Sequence, residues 1–121
     1  MINRDVGFYR SVPVNDLREI IEGLGGQWQE WPGGSKGVIQ VGDATIWCYA
    51  PYLVDELCTE PGALETLRNH TEHDVVSVIS VHVSHGEGSH ELATRAIDLM
   101  CRKWDGIEIK DEWFSAADNE L

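Results

Sequence analysis

Apolar residues recur at Leu17, Ile20, Ile21 and Leu24, the spacing that lays one stripe along one side of a helix. Asn15 stands ahead of that stripe as a cap, Asp16 and Glu19 lie early in it, and Gly25-Gly26 marks its exit. A wider stripe of Leu92, Ala93, Ala96, Ile97, Met100 and Trp104 predicts a second helix. Ser89 is its expected cap, Arg102 and Lys103 fall in its last turn where cations suit the carbonyl end, and Asp105-Gly106 breaks it.

Between these stripes the pattern is that of strands. Residues 27–31, 37–41 and 44–49 are β-rich runs divided by Pro32-Gly33-Gly34-Ser35 and Gly42-Asp43, which predicts three antiparallel strands. Residues 75–83 give the strongest strand signal and the expectation of a central strand, with Val75, Ile79, Val81 and Val83 on one face and Val76, Val78 and His82 on the other. Residues 7–10 read as a short opening strand and 107–109 as a closing one. Pro61-Gly62 opens a short helix with Leu64 and Leu67 inward, ending near Asn69-His70.

This order predicts an α+β fold: a single antiparallel or mixed sheet with helices packed on one face, and a ferredoxin-like core as its specific form. With 121 residues and 42% hydrophobic residues, the chain reads as one domain, 1–121, with an acidic C-terminal segment 105–121. No apolar run reaches membrane-spanning length, and Met1-Ile2-Asn3-Arg4-Asp5 has no apolar signal core, so a protein without membrane attachment or export is expected. Cys48, Cys58 and Cys101 form an odd set without C-x-x-C spacing, which suits free thiols and a cytoplasmic location.

Twenty-one acids against nine bases give a net charge of −12, which opposes direct binding of nucleic acid or anionic membrane and favours a basic protein partner. The charge is unevenly spread. Residues 1–20 balance three acids with three bases, whereas 105–121 hold six acids and only Lys110. Trp104, Trp113 and Phe114 are interleaved with those acids, and aromatic anchors in an acidic surround suit a basic surface. Asp105, Glu108, Asp111, Glu112 and Trp113 are therefore the candidate partner-binding residues. The plainer alternative is that the aromatics fill the edge of the core while the acids keep the surface soluble.

Motifs for catalysis are weak. His82, His85 and His90 surround a glycine-bearing turn and could in principle hold zinc or copper, although hydrogen-bonded or solvent-facing histidines are the commoner outcome of such spacing. Gly86-Glu87-Gly88-Ser89 joins a strand to a helix where amides can hold a phosphate, but Glu87 opposes an anion and the P-loop lysine is missing. No Gly-x-Ser-x-Gly elbow is present, and none of the cysteines lies in a nucleophile motif. A chain with no cofactor, no metal and no catalytic residue is expected.

The acidic α+β layout resembles that of small bacterial immunity proteins of toxin-immunity systems. The likeness lies in the Trp-rich run Gly26-Gln27-Trp28-Gln29-Glu30-Trp31, in residues 37–43, and in residues 91–111, a helix closing on an Asp105-Gly106 turn and a short strand. Such proteins bind a toxin tightly, often covering a basic nuclease site with acids, and perform no catalysis. The resemblance implies a non-catalytic binding module with a basic toxin domain, plausibly a nuclease, as partner. Two other readings stand beside it: a small enzyme or metal-binding domain built on His82, His85 and His90, and an acidic mimic of nucleic acid.

Overall fold

The computed structural model describes residues 2–53 and 75–109. Within them lie β1 (Ile2–Phe8), α1 (Val14–Gly23), β2 (Gln27–Trp31), β3 (Gly34–Val41), β4 (Ala44–Tyr49), β5 (Tyr52–Leu53), β6 (Ser77–Val83), α2 (Ser89–Trp104) and β7 (Gly106–Ile109). The strands form one seven-stranded antiparallel sheet in the order β2-β3-β4-β6-β1-β7, with β5 paired to β6 beyond the end of β4. Taken with α1 and α2, the run β7-β1-β6-β4 has the strand order of a ferredoxin-like core, and the β2–β3 hairpin extends it on one side.

Local chemistry sets the hairpins. Pro32 followed by Gly33 at φ 95° is the pairing a type II turn needs, because only the second central residue must enter the left-handed region. Gly42, at φ 62° ahead of Asp43, supplies the positive φ at the first central position of a II′ turn. These two-residue turns lock the registers Trp31 to Gly34 and Val41 to Ala44. The exit of α1 at Gly25-Gly26 is also as expected: the Gly26 N–H donates to Ile21 O at 2.8 Å and the Gly25 N–H to Glu22 O at 3.0 Å, closing the helix in a Schellman motif.

Both described helices pack on one face of the sheet. Leu17 and Ile21 of α1, and Leu92, Ala93, Ala96, Ile97, Met100 and Trp104 of α2, meet Val6, Phe8, Ile39, Ile46, Cys48, Ile79 and Val81 in one core. The α1 backbone comes close to β3 because residue 37 has no side chain: a Cβ there would lie 2.5 Å from Ile21 Cγ1. Phe8 and Trp104 meet edge to face with centroids 5.5 Å apart.

Four expectations are corrected. The opening strand is Ile2–Phe8 rather than 7–10, and it lies inside the sheet between β6 and β7. Asn15 is inside α1: Pro13 occupies the cap position, and its carbonyl accepts from Asp16 and Leu17. Ser89 does not cap α2, because its buried hydroxyl accepts from the Thr45 N–H at 3.0 Å and bonds Ser84 Oγ at 2.8 Å, tying the helix start to β4. Val75 precedes β6 and lies against Gly7 and Ile109, on the side away from the helices, since it is outside the strand alternation that orders Ile79, Val81 and Val83. The expected helix near 61–69 lies outside the described residues.

Candidate binding face of the sheet

Alternation along each strand sends half of its side chains away from the helices, onto a face with two unlike ends. Around β1 and β7 it is closed: Val75, Val78 and Ile109 are buried there beside Gly7. Across β2, β3, β4 and β6 no described element covers it, and this half is the open face. The register there puts Gln27, Val38, Trp47, His82 and Asn3 in one cross-strand row, with Gln29, Lys36 and Tyr49 in the next. Trp47, Tyr49, Lys36, Val38 and His82 are half-buried, and Trp31 is 44% exposed.

These groups support one another. The Tyr49 and His82 rings lie 4.6 Å apart at a tilt of 56°, and Lys36 Nζ sits 5.8 Å from the ring centres of both Trp31 and Tyr49, within cation–π range. A cleft of about 420 Å³ lined by Gly25, Gln27, Val38, Gln40 and Gly42 continues the surface at its corner. Besides the imidazole of His82, Lys36 and Asp5 are the only acid or base side chains among the described strand residues that the alternation places on this face. Asp5 is engaged: Ser80 Oγ donates to Asp5 Oδ1 at 2.8 Å, so the Tyr52 hydroxyl, 3.0 Å from Ser80 Oγ, is the donor in its own bond to Ser80. The surface is thus aromatic and amide-rich with almost no charge, the composition of the centre of a protein interface.

The acidity lies elsewhere. A net of eight negative charges, of the chain's −12, falls within residues 54–74 and 110–121. Of the five predicted partner-binding residues, Asp111, Glu112 and Trp113 lie outside the described residues. Asp105 is exposed and ends α2 in the left-handed conformation at φ 52°, with its N–H on Cys101 O. Glu108 is held by Arg4, whose Nε and Nη2 donate to its two carboxylate oxygens at 3.1 and 2.7 Å. Arg4 Nη1 also reaches Thr94 Oγ1 at 2.9 Å and His90 O at 3.3 Å, so one guanidinium joins β1, β7 and α2. An interface using Asp105 and Glu108 would have one free carboxylate and one already paired.

His82, His85 and His90 do not converge. His82 lies against Tyr49 on the open face, His85 is in the turn after β6, and His90 opens α2 on the other side of the sheet. Among the described residues no three His, Cys, Asp or Glu side chains gather closely enough to hold a metal ion. Glu87 and Glu91 line the small cleft beside the Gly88 turn with Arg95, and the Ser89 hydroxyl is occupied by Thr45 and Ser84, so an anion finds competing acids there. Burial pushes the Cys48 thiol up to about 12, and Cys101 is also raised, by burial first and then by Asp98 and Glu108. Neither thiol has the low pKa of a nucleophile.

The open face was missed by sequence reasoning, although a signal for it exists. In β4, Trp47 and Tyr49 occupy the phase opposite to Ile46 and Cys48, and in β3 Lys36 and Val38 oppose Gly37 and Ile39. Aromatics on the outward phase of a half-buried strand are what a binding sheet face requires. No described helix is long and apolar enough to cross a membrane. No family model, curated protein or solved structure matches this chain.

Proposed function

We propose that this chain is a non-catalytic protein-binding module: an immunity protein that acts in the cytoplasm and neutralises a basic bacterial toxin domain such as a nuclease. The observation that carries this reading is the open sheet face, where Trp31, Trp47, Tyr49 and Lys36 form an aromatic surface nearly free of charge in a molecule of net charge −12. The division suits a two-part recognition. The overall field accelerates encounter with a cationic partner, and rigid aromatics supply the short-range anchor.

Single-stranded nucleic acid can also stack on sheet aromatics, but it needs a cationic track for its phosphates. Among the described residues the open face offers Lys36 alone, and that ammonium is already placed between two rings. A basic protein is the better match.

The test is co-expression with the toxin domain encoded beside this chain's gene. Restored growth and a stable stoichiometric complex are expected, with protection lost in the double variant Trp47→Ala, Tyr49→Ala while the variant remains folded. Failure of the native chain to restore growth or to form the complex would overturn the reading. Stoichiometric zinc or copper in the purified protein, lost on replacing His82 or His85, would favour the metal-binding alternative instead.

A further inference from the structure

We propose that β2 joins two copies of this chain edge to edge, in an antiparallel register centred on Gln29. The main-chain geometry comes first. The two-residue turn at Pro32-Gly33 makes Trp31 and Gly34 a hydrogen-bonded pair, so Gln29 with Lys36 and Gln27 with Val38 are bonded pairs too. The N–H and C=O groups of Trp28 and Glu30 consequently point away from β3, along the outer edge of the sheet. No described residue pairs with that edge: β2 ends the strand order, and Gln27, Gln29, Glu30 and Trp31 are all exposed.

The edge is also weakly defended. Strand edges are commonly blunted by lysine, proline or a bulge, and none of these interrupts the run Gln27-Trp28-Gln29-Glu30-Trp31. Glu30 is the one charge on this edge; the opposite edge strand, β7, is only four residues long.

Side-chain chemistry then selects the occupant and the register. A two-fold axis at Gln29 sets Trp28 of each copy opposite Glu30 of the other, so both outward pairs form and four main-chain hydrogen bonds result. The indole N–H of Trp28 already donates to Glu30 Oε1 at 3.2 Å within one chain, and the same donor and acceptor face each other across the axis. An axis at Glu30 would oppose two carboxylates directly, and an axis at Trp28 would oppose the two indoles and leave Glu30 facing Gly26. Only the Gln29 axis uses every outward group and keeps the carboxylates apart. β2 is therefore complementary to itself in hydrogen bonding, with its one charge per copy, Glu30, kept off the axis.

Two bodies of charge −12 repel, so this association strengthens as salt rises, whereas a charge-steered complex with a basic toxin weakens. The opposite salt responses keep the two proposals separable. Sedimentation equilibrium of the purified full chain, over a concentration series at low and high salt, should show a monomer–dimer equilibrium that tightens with salt. Glu30→Pro removes one outward N–H per copy without touching the bonds to β3, and should weaken self-association about tenfold or more. Gln29→Glu leaves the monomer with a carboxylate facing Lys36 but sets two carboxylates against each other on the axis, and should weaken it comparably even if the proline variant fails to fold.

Amide hydrogen exchange should slow at Trp28 and Glu30 as concentration rises. A native chain that stays monomeric at the highest concentration and salt overturns the proposal. So does undiminished association of Gln29→Glu. Protection of those two amides only in the toxin complex would likewise overturn it, assigning the edge to the toxin.

Discussion

Ile46 and Cys48 are completely buried, while Trp47 and Tyr49, their neighbours on β4, remain partly exposed. The contrast extends across the sheet. On the helix side Phe8, Ile39, Ile79 and Val81 vanish into one core with α1 and α2; on the opposite side the open half presents rings, amides and Lys36 to solvent. One set of strands therefore serves two purposes that differ by a single residue of phase. Substitutions on the helix side should act on stability, and those on the open side on association.

The largest effects belong to the covered face. Phe8→Ala should destabilise by about 3 to 5 kcal/mol, because it removes a fully buried ring together with its edge-to-face contact to Trp104. Ile79→Ala and Ile97→Ala should each cost about 2 to 5 kcal/mol. Chemical denaturation measures all three, and losses below about 0.5 kcal/mol, typical of surface sites, would break the contrast between the faces.

A different outcome is expected for Trp47→Ala on the open face. Stability should change by about 1 kcal/mol or less, the scale of cross-strand pair contributions. Affinity for the proposed toxin partner should fall by about 2 kcal/mol or more, seen mainly as faster dissociation. Surface-immobilised binding kinetics alongside a denaturation curve would sharpen the comparison, and a variant that loses stability but not affinity would reverse it.

The buried thiol of Cys48 adds a pH signature of the covered face. Its pKa is about 12 in the fold against an ordinary 9.0, so between those values the folded chain keeps a proton that the unfolded chain has lost. Stability should decline as pH rises through that window, by at most about 1.4 kcal/mol per pH unit from this group. Denaturation of the native chain and of Cys48→Ala across the window isolates the slope, which should be shallower in the variant.

The smallest effect is expected from the paired change Asp111→Asn, Glu112→Gln. Removing two of the chain's acids should slow association with the proposed toxin partner and reduce its salt dependence while dissociation stays nearly constant. Association rates at two salt concentrations test it. A large rise in dissociation rate would instead place those residues inside the interface and move its centre off the open sheet face.

Much of this architecture was legible because it depends on short-range rules. The stripes of α1 and α2, the glycine exit of α1, the turns at Gly33 and Gly42, and β6 inside the sheet all follow from residues a few positions apart. The misplaced features have a different cause. Ile2 to Phe8 carries little alternation because Arg4 occupies an inward phase, and that placement makes sense only once Glu108 and Thr94 have arrived from about a hundred residues away to satisfy it. Ser89 resembles a cap locally, but the Thr45 amide and Ser84 outcompete its own helix for the hydroxyl.

The same division runs through the candidate site. Composition alone determined that this is an acidic chain of net charge −12, and periodicity alone determined an α+β sheet with helices against it. Which aromatics meet was decided by register. Tyr49 lies beside His82, and Lys36 between Trp31 and Tyr49, because β3 pairs with β2 and β4 while β4 also pairs with β6. The strand order likewise decided that β2 is an edge and β1 is not. Local propensity acts over a few residues, whereas strand neighbours are chosen by how completely the whole sheet can bury one face, and that choice exists only when the chain has folded.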